Sequence, residues 1–200
     1  MRPSSLSSSR SSSRLCALAL LLLVPAALAQ GPARTYAVKD GSSLSYTLIH
    51  KLHEVKGTAK RLDGRARLLP DGTLQVAVRA RVEDFDSGNS NRDAHMKEAT
   101  EAARFPLVDF KGVSSGVRAP ARLPATVPVT VKGRLTFHGV TRAVEVPLQV
   151  TFTKDGQVKA DGRFEISLEA FEVERPSLLM VKVQDALVLA LALQLAPEGA

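Results

Sequence analysis

The chain has 200 residues and a formal charge of +7 from 27 basic and 20 acidic side chains, with one cysteine and no tryptophan. Arg2, Arg10 and Arg14 stand in an N-terminal leader without acidic residues, so the excess over the remaining chain is mild and spread, giving no support for nucleic-acid binding. The lone Cys16 excludes an intrachain disulfide, and a chain that loses it also lacks zinc–thiolate sites and a thiol nucleophile.

In chain order, the leader comes first. Arg14 is followed by an apolar run from Leu15 to Val24, then Pro25 and the small-residue sequence Ala27-Leu28-Ala29. That order predicts a secretory signal peptide over 1–29, cleaved after Ala29. The run is about half the length that crosses a bilayer as a helix, which argues against an integral membrane protein. Cys16 opens the run, whereas a lipoprotein site would close it. The mature chain is expected to begin at Gln30 and to form a single domain over 30–200, large enough for one core and an internal cavity. Export by itself leaves the periplasm and release to the medium both open.

Beyond Gln30 apolar residues alternate with period two, as in half-buried antiparallel strands. Ser43–His50 places Leu44, Tyr46, Leu48 and His50 on one face; Thr73–Val82 places Leu74, Val76, Val78, Ala80 and Val82 on one face. The same pattern predicts strands over Val127–Phe137, Arg142–Phe152, Val158–Leu168 and Ala186–Leu195, the last apolar on both faces and so packed on two sides. Weaker strands fit Thr35–Val38, Val55–Leu68 and Leu107–Ser114. Asp63-Gly64, Pro70-Asp71-Gly72, His138-Gly139, Lys154-Asp155-Gly156 and Asp161-Gly162 read as turns. Tight turns between successive strands favour an up-and-down barrel or a sandwich. Two connections are longer. Glu83–Pro106 holds a helix-forming stretch, Ala94–Arg104, ended by Phe105-Pro106, and Ala170–Gln184 holds Arg175-Pro176.

The first of these carries the densest group of ionisable side chains, Arg92, Asp93 and His95. A proton relay would use His95 as base, oriented by Asp93, with Arg92 on an anion. Ser87, Ser90 and Ser114 sit in no nucleophile elbow, so no catalytic residue is assigned. A metal site could draw on His50, His53, His95 and His138, but no carboxylate spacing completes the set. No metal and no cofactor is assigned. The structural reading has Asn91 or Asp93 capping the helix and Asp93, Asp86 or Asp109 holding Arg92. In a variant of it, the loop forms a mouth where Arg92, Asp93 and His95 meet a polar head group.

Several motifs in order carry a family resemblance. They are Tyr36-Ala37-Val38; the Ser43–His50 alternation with Leu52, Val55 and Gly57; Asn89-x-x-Arg92-Asp93-x-His95-Met96; Phe105-Pro106 with Phe110; and Gly133-x-Leu135-x-Phe137-His138-Gly139-Val140-Thr141-Arg142-x-Val144. The chain resembles the YceI-like family of exported bacterial lipid-binding proteins over nearly all of 30–200. It departs from the common pattern at Lys39-Asp40-Gly41 and at Glu98–Arg104. The resemblance implies an all-β, antiparallel, up-and-down lipocalin-like β-barrel of about eight strands, with one short helix in the Glu83–Pro106 connection. It also implies a non-catalytic protein that binds, sequesters or transports an isoprenoid or other long-chain lipid, and the periplasm over release to the medium.

Seven phenylalanines, two tyrosines and many aliphatic residues suit a narrow aliphatic bore better than an aromatic platform. Leu44, Tyr46, Leu48, Val76, Val78, Leu135, Phe137, Val146, Leu148, Phe164 and Ile166 are expected in the cavity wall or the core. The alternative is a bore filled by these side chains, in an exported barrel with a structural or stress-protective role and no small-molecule ligand. A homodimer stays open.

Overall fold

The computed structural model describes residues 32–198 apart from 51–52, 176 and 179–180, and the side chains of His50, His53, Ser177, Leu178 and Val181 are not described. The expected signal peptide, the start at Gln30, Leu52 and Pro176 therefore lie outside the described residues, as do the imidazoles of the His50-x-x-His53 pair. Strands β1 (Arg34–Val38), β2 (Ser43–His50), β3 (His53–Ala59), β4 (Leu62–Leu68) and β5 (Leu74–Arg81) come first. A helix, α1 (Ser90–Ala99), leads to β6 (Leu107–Ser114), β7 (Ala125–Phe137), β8 (Val140–Phe152) and β9 (Val158–Ser167). A small β10 (Ser177–Leu178) and β11 (Val181–Lys182) pair precedes β12 (Ala186–Pro197).

The wall closes. From β4 to β9 each strand is antiparallel to the next, β9 pairs with β12, and β12 pairs back onto both β2 and β1. β1 and β2 are two legs of one bent strand, and β3 and β4 are two legs of the next: Ala37 pairs with Arg65 and Leu44 with Ala59. With each bent strand counted once, the barrel has eight strands in meander order. Closure leaves no long unpaired edge, which matters for a chain stapled by no disulfide.

The bend in the first strand is made by Ser42, which is buried. Its hydroxyl donates to the Lys39 carbonyl (2.7 Å) and accepts from the Gln194 N–H (2.9 Å), while the Lys39 N–H donates to the Gln194 carbonyl (2.8 Å). A side chain thus replaces backbone partners that the extra residues displace from the ladder. The β7–β8 turn has positive φ at both central residues, His138 and Gly139, as the type I′ hairpin turn requires.

Two glycines expected in turns lie inside strands. Gly64 is in β4, where a Cβ would come 2.6 Å from the Ala77 carbonyl oxygen; Gly162 is in β9, where it would meet a Leu148 methyl at 2.5 Å. These glycines serve close approach across the wall, not chain reversal. The helix is shifted from Ala94–Arg104 to Ser90–Ala99, because Asn89, and neither Asn91 nor Asp93, caps it: its side chain accepts the Arg92 N–H at 3.0 Å. The Thr100 hydroxyl then donates to the Met96 carbonyl (2.7 Å), and Glu101 takes a positive φ that stops the helix.

Two hydrophobic clusters divide the interior. One, at the end where the long connections cross, includes Leu44, Tyr46, Leu135, Phe137, Ile166, Phe171, Leu187 and Leu189. The other, at the opposite end, is built on Val129, Val131, Val146, Leu148, Val150 and Phe152 with Leu193 and Leu195.

Candidate functional site: an apolar cavity under a short helix

The first cluster surrounds a cavity of about 380 Å³, within the range of small-molecule sites. Inward-facing residues of the strands supply most of its wall: Leu44, Tyr46 and Leu48 from β2, Val55 from β3, Val108 from β6, Leu135 and Phe137 from β7, Ile166 from β9, and Leu187 and Leu189 from β12. The rest is closed by Leu168, Val173 and Val183, on or beside the later long connection, and by the 82–100 segment. That segment leaves β5 and returns beside it, with the Val82 N–H on the Pro106 carbonyl (2.9 Å) and Asp86 bridged to Thr58 of β3. Arg92, His95, Met96, Ala99 and Thr100 turn toward the cavity; at i, i+3, i+4, i+7 and i+8 they form one helical face.

Of the residues expected in the wall or core, Leu44, Tyr46, Leu48, Leu135, Phe137 and Ile166 line the cavity. Val76, Val78, Val146 and Leu148 pack in the opposite cluster, and Phe164 lies between the two. Leu187, Leu189, Met96 and Ala99 line the cavity and were not anticipated as site residues. The leucines were visible in the β12 alternation, and the helical pair needed the packing of the helix on the barrel to show which of its faces turns inward.

The Arg92, Asp93 and His95 group divides by side chain. Ser87 is the hub: its hydroxyl donates to Asp93 Oδ1 (2.6 Å), its N–H donates to the same oxygen (3.0 Å), and it accepts from Arg92 Nε (3.0 Å). Arg92 also donates through Nη2 to the Ser87 carbonyl (2.7 Å). The guanidinium is therefore held by Ser87 and not by Asp93, Asp86 or Asp109, and Asp93 braces the loop away from the cavity lining. Two positions apart on a helix, Asp93 and His95 point to different faces, so Asp93 does not orient His95, which is exposed at the mouth. Burial pushes the Tyr46 phenol up; the nearby Asp93 carboxylate adds to that and the Arg92 guanidinium opposes it. Among the described residues no group of three or more His, Cys, Asp or Glu could hold a metal. None of the described helices is long and apolar enough to cross a membrane.

His138 ties the rim together. Its Nδ1 lies 3.1 Å from the Phe171 carbonyl, its Nε2 3.2 Å from Glu101 Oε1, and its ring meets Phe105 edge-on at 5.1 Å. The second connection is fastened by Asp185, whose Oδ1 accepts the Glu169 N–H (2.8 Å) and whose carbonyl accepts the Leu168 N–H (2.9 Å). The Ser167 hydroxyl first, and the Glu169 N–H next, hold the Asp185 carboxyl below the usual carboxylate range. A lowered folded-state pKa contributes stability above the ordinary aspartate range that is lost as pH falls through the folded value. Thermal melts across that acidic range should show wild type ahead of Asp185→Asn at neutral pH and the gap closing on acidification. A gap that stays constant would contradict the assignment.

Fold and site together define a closed antiparallel β-barrel with an apolar internal cavity capped by a short helix. The YceI-like domain model matches residues 36–195. The chain belongs to the YceI-like family. A polyisoprenoid-binding domain from Saccharophagus degradans, implicated in plant cell wall breakdown, superposes with a TM-score of 0.66 at 15% identity, covering 82% of this chain and 98% of that one. BcnA of Burkholderia cenocepacia gives 0.62 at 24% identity over 78% and 98% of the two chains, and a Campylobacter jejuni YceI protein gives 0.56 at 17% over 76% and 90%. At these identities the likeness is one of fold. No curated protein matches the chain.

Proposed function

We propose that this barrel binds an isoprenoid or other lipid chain and sequesters or transports it, without catalysis, as an exported protein of the periplasm. The observation that carries the reading is the 380 Å³ cavity with an almost wholly aliphatic and aromatic wall. Burial in such a wall is worth about 0.8 kcal/mol per methylene-sized group before ordering costs. The family, and the polyisoprenoid-binding domain among its structural neighbours, support a lipid over other apolar ligands. Arg92 and His95 at the mouth suit a polar head group. Export rests on the leader: arginines, a short apolar run and a small-residue cleavage site.

The test is mass spectrometry of organic extracts from purified protein. A lipid that co-purifies in stoichiometric amount, and is lost when Leu135→Arg places a charge in the wall, supports the reading. Repeated absence of any lipid, together with failure of the delipidated protein to take up an apolar probe, sinks it in favour of an exported barrel with a structural or protective role.

A further inference from the structure

The cavity wall is one-sided in charge. Of its lining residues only Tyr46, Arg92, His95 and Thr100 carry polar side chains, and none is an aspartate or a glutamate. The Thr100 hydroxyl is spent on the Met96 carbonyl, and His95 is exposed. Arg92 is half-buried and is the permanent cation of the lining. Ser87 takes up two of its five guanidinium N–H groups, at Nε and Nη2 along one edge; the other edge, Nη1 with the second N–H of Nη2, has no protein partner among the described residues. Nor does any carboxylate among them form an ion pair with it. Asp93, next to it in the chain, accepts from Ser87 and stays out of the lining. The Tyr46 phenol feels the charge of both Arg92 and Asp93, so its hydroxyl belongs to the same end of the cavity.

A partly desolvated cation is costly to hold against an apolar wall unless an anion pairs with it. The shape that a free guanidinium edge matches is a pair of oxygens on one carboxylate or phosphate. Because Ser87 already fixes the opposite edge, the fork is oriented before a ligand arrives, and little further order is lost on binding. We propose that the cavity takes an anionic amphiphile, an apolar chain ending in a carboxylate or phosphate whose oxygens meet the free edge of Arg92. This rests on the lipid-binding reading and names the head group of its ligand. The Tyr46 hydroxyl, a donor at the same end, suits the same oxygens.

Calorimetric titration of the delipidated protein at neutral pH with farnesol, farnesoic acid and farnesyl phosphate tests this, since the three share one chain and differ in the head. Wild type should bind at least one of the two acids about tenfold or more tighter than farnesol, as for a hydrogen bond to a charged group. Which acid gains more separates a carboxylate ligand from a phosphate one. Arg92→Met, with circular dichroism as the check on folding, should lose that advantage. Arg92→Lys, which keeps the charge and gives up the fork, should keep only part of it. Wild type that binds farnesol as tightly as both acids, or a folded Arg92→Met that still favours the acids, overturns the anionic head while leaving lipid binding intact. Absence of saturable binding by any of the three overturns the head-group assignment and the lipid-binding reading together.

Discussion

Phe171→Ala is expected to cost about 3–5 kcal/mol, the usual range for deleting a buried aromatic ring from a core that relaxes only in part. Phe171 is 2% exposed, belongs to the cavity-side cluster and packs against Phe137 at 5.9 Å between ring centroids. Its own backbone is pinned, with the carbonyl held at His138 and the N–H on the Leu168 carbonyl at 3.1 Å, so little can move in to fill the void. A native domain is stable by only about 5–15 kcal/mol, and a loss of this size would lower the thermal midpoint by roughly 6–20 °C for a chain of this length. Urea unfolding should show a lower midpoint at an unchanged slope. A loss below about 1 kcal/mol would mean that the ring is not a core element.

Gly57→Ala is expected to disturb binding and stability together. A Cβ at that position would sit 2.4 Å from Tyr46 Cε1 and within 2.7 Å of Cζ and the phenol oxygen. The ring lies over β3 only because residue 57 has no side chain, and it also packs against Phe85 at 5.6 Å. Overpacking of this kind costs about 1–3 kcal/mol, and the displaced ring has to enter the cavity or leave its wall. Affinity for a farnesol probe should fall about tenfold. In a Tyr46→Ala background the same glycine replacement should be close to neutral, because the clash is with that ring. A double-mutant cycle with no coupling would refute the account.

Much of the barrel was legible because strands repeat with period two; Val127–Phe137 and Ala186–Leu195 lie within strands, while Thr73–Val82 overruns its strand by one residue at each end and Val158–Leu168 by one at its close. The Pro70-Asp71-Gly72 and Lys154-Asp155-Gly156 turns were legible for the same local reason. Asp63-Gly64 and Asp161-Gly162 were not. A glycine needed for a turn and a glycine needed for a neighbour's close approach look alike until the neighbour is known, and Ala77 and Leu148 are distant in sequence. Val55–Leu68 reads as one strand, yet its bend follows from a partner strand with its own bulge at Ser42. In the site, the inward faces of β2 and β7 could be read directly. The depth at which the bore fills could not, since Val76 and Leu135 have the same pattern and differ only in which end of the barrel they reach. The helix face was obscured by the choice of cap, because a start at Ala94 leaves Arg92 outside the helix, whereas a start at Ser90 brings it onto the face that His95 and Met96 share.

His138 has a consequence for how the rim behaves as a mechanical unit. Its two ring nitrogens face in different directions, Nδ1 to the Phe171 carbonyl and Nε2 to the Glu101 carboxylate. The helix-bearing crossing is attached through Glu101 and the later crossing through Phe171, so one ring, carried on the β7–β8 turn, joins the two connections that border the mouth to each other and to the wall.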